Sequence, residues 1–181
     1  PNRLECFVEA WSTDNADGRY AALFTAQRYG DRQSRMVPVI DYDDLLSGNY
    51  IGNQVFTLTA RLKDIGGFDE ALPAMQDYET WLRLTKRYGP VLGLPEATYL
   101  VDIDHTLGRV SEKDVATLRA AYAHIVKVHN LDPRAQRRLK SVLFSYPQVP
   151  MSLLDLAEQW RLGNYGQSSR TWLAKKLGMQ R

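Results

Sequence analysis

The 181-residue sequence has one cysteine, three histidines and no long apolar run. Because Cys6 has no partner within the chain, an intrachain disulfide is excluded, and we expect a reducing, cytoplasmic compartment. A zinc site is disfavoured, since there is one cysteine and no close pair of histidines. No stretch approaches the roughly 18 apolar residues that a membrane-spanning helix needs. G-x-S-x-G, P-loop and G-x-G-x-x-G patterns are also absent, so hydrolase, NTPase and dinucleotide-binding functions have no support.

Charge is unevenly distributed, although the net charge of the chain is only +2. Residues 131–181 contain nine basic and three acidic residues, a net charge of +6. The remaining 14 basic and 18 acidic residues give 1–130 a net charge of −4. An acidic body and a basic tail predict two regions with different partners. Because the body is acidic and no nucleic-acid-binding motif is present, we expect no nucleic-acid partner.

Hydrophobic periodicity predicts an α/β fold, with an α+β body over residues 1–110 and a helical C-terminal extension over 111–181. In the body, it predicts a helix through Leu4 and Trp11, short helices after Asp41 and Thr59, and a helix over Met75–Tyr88. It also predicts four strands, at Tyr20–Tyr29, Val37–Ile40, Val91–Leu94 and Thr98–Ile103. In the extension, helix-capping residues predict four helices, which begin at Ser111, Asp132, Ser152, and Ser168 or Ser169.

The densest unusual stretch is Gly66-Gly67-Phe68-Asp69-Glu70, after which Asp77 stands at the start of the predicted helix. A double glycine permits positive φ or a close approach to the backbone. The helix dipole at that position favours an ionised carboxylate, and such a group beside a glycine-rich turn is a competent general base. Taken alone, the residues favour the plainer interpretation that Asp77 only caps its helix.

Three consecutive segments resemble glycosyltransferase family 2. They are G-N-Y-I-G-N (Gly48–Asn53), G-G-F-D-E (Gly66–Glu70) and M-Q-D-Y-E-T-W-L-R-L (Met75–Leu84). The resemblance covers about residues 1–130. It implies part of a GT-A fold and an inverting transfer from a nucleotide-diphosphate sugar to a saccharide or lipid-linked acceptor hydroxyl, with surface polysaccharide synthesis as the expected setting.

The resemblance also implies roles for particular residues. Asp77 falls on the catalytic base, and Gln76 stands where many members have glutamate. The segment H-T-L-G-R-V-S, which contains His105, is similar to one that approaches the diphosphate and the metal, so His105 is a candidate metal ligand. The implied substrate-binding residues are Gly52, Asn53, Gly66, Gly67, Phe68, Asp69, Gln76, Trp81 and Arg109.

Members of this family begin with a nucleotide-binding region that ends in a D-x-D metal site, and the present sequence resembles the region beyond that site. We therefore expect the divalent cation, Mg²⁺ or Mn²⁺, to be held mostly by a D-x-D outside this chain, and the isolated chain to be inactive. Asp41-Tyr42-Asp43 matches the D-x-D pattern and could hold such a cation. It lies only 34 positions before Asp77, far closer than in the family, and its carboxylates also fit the first turn of a short helix. We therefore favour the helix start.

Two other functions stay open. The chain could be a binding or interaction module without turnover. Residues 160–181 could also contact a membrane surface, which would place the protein at the inner face of the membrane. In this segment Trp160, Trp172, Leu173 and Leu177 are interleaved with Arg161, Arg170, Lys175 and Lys176. The alternative is that these apolar residues pack on the body and the charges are solvated.

Overall fold

The computed structural model describes residues 2–34, 36–101 and 113–178. The predicted α/β class is confirmed, since these residues form a four-stranded mixed sheet and eight α-helices. They divide into two compact units, the first within 1–45, 49–69 and 76–107, and the second within 46–48, 70–75 and 108–181. The predicted boundary at 110/111 lies outside the described residues, so the division into 1–110 and 111–181 stays a prediction.

The first unit contains the sheet. Its strand order is β2-β1-β4-β3, in which the central pair β1 and β4 is parallel and both edge pairs are antiparallel. The elements of this unit are α1 (Arg3–Thr13), β1 (Ala22–Tyr29), β2 (Arg32–Gln33), β3 (Val39–Ile40), α2 (Tyr42–Leu45), α3 (Thr59–Asp64), α4 (Gln76–Tyr88) and β4 (Val91–Leu100).

The prediction of two strands after α4 is wrong, because Val91–Leu100 is one continuous strand. Its pairing with β1 shifts register between Thr25 and Gln27, opposite the stretch that contains Pro95. Proline cannot donate to a strand ladder, and this explains why the sequence pattern breaks there while the strand continues.

Aromatic packing joins α1 to the sheet. Phe7 and Ala10 of α1 form a buried cluster with Leu23 of β1 and Leu94 of β4. The rings of Phe7 and Phe56 stack at a centroid distance of 5.1 Å. The predicted apolar face is therefore confirmed only in part, since Trp11 packs against this cluster whereas Leu4 is exposed.

The second unit contains the four helices of the extension, which are α5 (Val115–Val128), α6 (Pro133–Phe144), α7 (Leu153–Arg161) and α8 (Tyr165–Lys176). Two predicted starts are confirmed. Asp132 caps α6 by accepting two backbone N–H groups, and Ser152 forms a capping box with Asp155 on α7. The predicted start at Ser111 lies outside the described residues, and α5 begins at Val115 with Asp114 as its cap.

The prediction that α8 begins at Ser168 or Ser169 is wrong, since the helix begins at Tyr165. The Ser169 hydroxyl lies inside the helix and donates to the carbonyl oxygen of Tyr165, at 2.6 Å. Serine in a helix interior can form this backward bond in place of a cap. Within the described ranges of the chain, no helix combines the length and apolar character needed to cross a membrane.

Candidate functional site

The first turn of α4 fixes the position of Asp77, which is the second residue of this helix. Its Oδ1 accepts a hydrogen bond of 2.8 Å from the backbone N–H of Tyr78. The side chain of Tyr78 is buried, and its hydroxyl donates to the carbonyl oxygen of Leu45 at 2.6 Å. The start of α4 is therefore anchored from inside the first unit, and the carboxylate next to the anchor is half-buried.

Burial raises the pKa of the Asp77 carboxyl above its ordinary value, and backbone N–H groups of Tyr78 and of Asp77 itself oppose this with a smaller lowering. The net direction is opposite to the one that the helix dipole alone predicts, because loss of water around the charge outweighs the local dipoles. A carboxylate with a raised pKa holds a proton more firmly once it accepts one. This change strengthens it as a general base.

Trp81 joins several of the predicted substrate-binding residues. It lies four positions after Asp77, on the same side of α4. Its Nε1 donates to the carbonyl oxygen of Gly52 at 2.9 Å, and its ring meets the Phe68 ring edge-on at a centroid distance of 6.0 Å. Trp81 is only 3% exposed, whereas Phe68 is 52% exposed. Trp81 is therefore a buried residue that holds Gly52 and Phe68 in place, and Phe68 presents an aromatic ring to solvent.

The double glycine ends α3. Gly66 and Gly67 have φ of 85° and 70°, in the left-handed region that favours glycine. The N–H of Gly67 donates to the carbonyl oxygen of Leu62 at 2.8 Å, and that of Gly66 to Lys63 at 3.0 Å. This pair of bonds is a Schellman motif. Of the two uses that the sequence permits for a double glycine, positive φ is the one found, and it places Phe68 directly after a fixed turn.

A buried ion pair, which was not predicted from the sequence, connects α4 to this turn. Arg83 donates to both carboxylate oxygens of Glu79, with Nε–Oε1 at 2.7 Å and Nη2–Oε2 at 2.6 Å. The same guanidinium donates to the carbonyl oxygens of Ile65 and Gly67. Glu79 is fully buried. Glutamate four residues before arginine on a helix is the signal that could have revealed the pair.

The remaining predicted site residues are only partly within the described chain. Asn53 is exposed, and Asp69 and Gln76 are half-buried, all within the first unit. Arg109 and His105 lie outside the described residues, so their roles stay predictions. Among residues 2–34, 36–101 and 113–178, no group of three or more His, Cys, Asp and Glu side chains could hold a metal ion.

The acidic run before α2 has a structural role. Asp41 Oδ1 accepts the backbone N–H of Asp44 at 2.7 Å, and Asp44 Oδ2 accepts the backbone N–H of Asp41 at 3.2 Å. These reciprocal bonds close the first turn of the short helix α2. The helix-start interpretation of Asp41-Tyr42-Asp43 therefore has direct support.

Replacing Gly52 by alanine should destabilise the fold by about 1–2 kcal/mol, because an L-residue is strained at its φ of 76°. The added Cβ would also lie 2.0 Å from Gln27 Nε2, so that side chain must move. Gly30→Ala is a matched control, since Gly30 has φ 56° but an open surrounding. Thermal unfolding should show a larger loss for Gly52→Ala than for Gly30→Ala. Equal losses would mean that the contact with Gln27 has no cost.

Because the pKa of Asp77 is raised, we expect the stability of the folded chain to depend on pH. Because the folded pKa is raised, the folded chain holds this proton to higher pH than the unfolded chain, so stability is lost as pH rises from about 3.9 through the folded pKa. Asp77→Asn keeps an oxygen that can accept the Tyr78 N–H and removes the half-buried charge. Its melting temperature should exceed that of the parent chain at pH 7, and the difference should narrow as pH falls.

Asp64→Asn is the control for this pH experiment. The Tyr88 hydroxyl and Arg87 hold the pKa of the Asp64 carboxyl below its usual value, which is the opposite direction. Removing that charge should give no gain in melting temperature at pH 7. A gain for Asp64→Asn equal to that for Asp77→Asn would show that net charge, not burial, sets the effect.

Comparison with known proteins gives one informative similarity. No protein-family model matches the chain, and no solved structure matches it. The Escherichia coli (strain K12) protein named "Putative colanic acid biosynthesis glycosyl transferase WcaA" is 35% identical over 101 residues. The matched stretch is 56% of this chain and 35% of that protein, so it spans about a third of the length of the relative. The chain is therefore similar to part of a protein named as a glycosyl transferase.

Proposed function

We propose that this chain forms the acceptor-side part of an inverting, family 2 glycosyltransferase of GT-A type, which acts in surface polysaccharide synthesis. The observation that carries the proposal is the position of Asp77, a half-buried carboxylate with a raised pKa in the first turn of α4, on the same side of that helix as Trp81. The similarity to a relative named for colanic acid biosynthesis supports the reaction class. The segment that contains α4 is also one of the three that resemble the family.

In this reaction an acceptor hydroxyl oxygen attacks C1 of the donor sugar on the face opposite the diphosphate. The new bond joins that oxygen to C1, and the bond from C1 to the diphosphate oxygen breaks, so the nucleoside diphosphate leaves with the electron pair. Asp77 takes the hydroxyl proton as the attack proceeds. Attack from the opposite face inverts the configuration at C1.

The acceptor is expected to meet the exposed side of the Asp77 region. Phe68, held edge-on against Trp81, can cover an apolar face of a sugar ring, and the exposed Asn53 can hydrogen-bond to hydroxyl groups. Trp81 itself is buried and acts by fixing Gly52 and Phe68. The acceptor is a saccharide or a lipid-linked saccharide in this proposal, and the donor is a nucleotide-diphosphate sugar.

Within the described residues, no group of three or more His, Cys, Asp and Glu side chains could hold the divalent cation that the resemblance implies. From the resemblance, we propose that Mg²⁺ or Mn²⁺ is held mostly by a D-x-D site outside this chain, with His105 as an additional candidate ligand. Asp77 does not need the cation for its own role, since a carboxylate accepts a proton without a Lewis acid.

The direct test compares the protein expressed from the complete reading frame with the 181-residue chain alone. Each is incubated with a panel of UDP- and GDP-sugars, Mn²⁺ and membrane extract as the source of acceptor, and transfer is measured with radiolabelled sugar. We expect transfer by the complete protein and none by the chain alone. Calorimetric titration of the chain with the same donors is the second arm. Tight, metal-dependent donor binding by the chain would contradict the assignment of the donor site elsewhere.

A second role, contact with an anionic membrane surface at the inner face of the membrane, is favoured by exposed apolar side chains on α8. Leu173 lies near the end of α8 and Leu177 is the C-cap residue that follows the helix, and both are exposed in a chain segment of net positive charge. Lys175, one of the basic residues of this segment, is instead engaged within the second unit. Its Nζ donates to the carbonyl oxygen of Tyr146 at 2.6 Å, and burial lowers the pKa of this amine.

Vesicle sedimentation tests this second role. Leu173→Ser combined with Leu177→Ser should weaken binding to vesicles that contain phosphatidylglycerol. Leu4→Ser should leave it unchanged, because Leu4 is 63% exposed, like Leu177 at 62%, but belongs to the other unit. Equal binding to neutral and anionic vesicles would contradict the electrostatic part of the proposal.

A further inference from the structure

A cleft of about 510 Å³ lies between α6 and α7 in the second unit, away from the residues of the candidate active site along the chain. A volume of this size is in the range of small-molecule sites. Three guanidinium groups dominate its lining, which consists of Arg134, Arg137, Glu158, Arg161 and Leu162. The proposed glycosyl transfer uses none of these residues.

The arginines converge because of where they lie on their helices. Arg134 and Arg137 are three residues apart near the start of α6, so they share a face, and Arg161 is the last residue of α7. The two helices are also joined by a hydrogen bond, since the buried Gln159 of α7 donates from Nε2 to the carbonyl oxygen of Arg137 on α6 at 2.8 Å. This bond helps to fix the backbone positions on α6 and α7 from which the three arginine side chains extend.

The nearby carboxylates are largely engaged elsewhere. Glu158 lines the cleft, but it accepts a hydrogen bond of 2.9 Å from Lys140 Nζ. Asp132 lies next to the cleft arginines, and its Oδ1 accepts the backbone N–H groups of Arg134 and Ala135 as the cap of α6. In the part of the chain that the structure describes, no carboxylate lies within ion-pair distance of the three guanidinium groups.

We propose that this cleft binds a phosphate-bearing anion through Arg134, Arg137 and Arg161. A guanidinium presents paired N–H donors that match phosphate oxygens, and several of them around one cleft suit a phosphomonoester or a diphosphate better than a single carboxylate. The group can belong to a soluble phosphate compound or to a lipid headgroup. Both present the same oxygens to the cleft.

The experiment uses the 181-residue chain with two probes, inorganic pyrophosphate measured by calorimetry, and phosphatidylcholine vesicles with or without phosphatidic acid measured by flotation. We expect saturable binding to at least one probe. Arg137→Gln should weaken it by at least about tenfold, the loss of one charge-assisted contact. Arg119→Gln is the matched control, since Arg119 is an exposed arginine on α5 that lies outside both the cleft lining and the segment 160–181, and it should change binding by less than about twofold.

Each further outcome has a definite meaning. Binding to pyrophosphate that Arg137→Gln weakens identifies a soluble phosphate ligand, and binding only to phosphatidic acid vesicles with the same arginine dependence identifies a lipid headgroup. Glu158→Gln, which removes the carboxylate from the lining, should strengthen binding to either probe. Absence of saturable binding to both probes would overturn the proposal, as would equal losses for Arg137→Gln and Arg119→Gln. Far-ultraviolet circular dichroism of each variant excludes unfolding as the cause.

Discussion

Replacing Asp77 by asparagine should lower kcat by at least about 10²-fold in the protein expressed from the complete reading frame, since this is the low end of the contribution of a positioned general base. Asparagine has nearly the same shape and can still accept the N–H of Tyr78 through its side-chain oxygen. It cannot accept the proton of the acceptor hydroxyl. The loss should therefore appear in kcat and in kcat/KM together, with little change in KM for the donor sugar.

Two controls separate this loss from damage to the fold. Asp64→Asn removes an exposed carboxylate at the end of α3 and should leave kcat unchanged. Asp77→Asn should also melt at a higher temperature than the parent protein at pH 7, because it removes a partly buried charge. A variant that is more stable but much slower indicates a chemical role. Near-normal turnover of Asp77→Asn would remove the residue from the mechanism and leave it as a helix-terminal carboxylate.

The local parts of this fold were largely predictable, because caps and periodicity act over a few residues. Asp132 and Ser152 mark helix starts where their side chains accept N–H groups of the same turn. Ser168 and Ser169 misled the prediction for α8, since a serine inside a helix can bond backward to a carbonyl. The sequence does not distinguish these two uses of one hydroxyl.

Long-range features could not be predicted from local patterns. The parallel pairing of β1 with β4 joins segments about 70 residues apart, and their continuity across Pro95 depends on that partner. In the same way, family resemblance indicated Trp81 as a substrate contact. Only the structure shows that its indole donates to the carbonyl oxygen of Gly52 and packs edge-on against Phe68. The raised pKa of Asp77 also depends on burial, which the helix-start position does not reveal.

Replacing Glu79 by alanine should destabilise the protein by about 3 kcal/mol, the lower end of the cost of breaking a buried ion pair. Glu79 is fully buried, while the Arg83 side chain keeps 21% exposure, so water can relieve part of the charge that is left behind. For a chain of this length the loss corresponds to a fall of about 6–12 °C in melting temperature. Glu79→Gln should lose less, because its amide oxygen can still accept one hydrogen bond from Arg83.

The ion pair between Arg87 and Asp64 is a matched control within the same chain, since it joins the same kinds of group at 3.2 Å on the surface. Asp64→Ala should leave the melting temperature nearly unchanged, because exposed pairs are solvated and screened. The loss of stability in Glu79→Ala should also be concentrated at the turn over 65–68. Arg83 holds the carbonyl oxygens of Ile65 and Gly67, so amide exchange over 65–68 should accelerate more than over α1. Equal acceleration in both segments would mean that Glu79 stabilises the whole unit rather than the turn that carries Phe68.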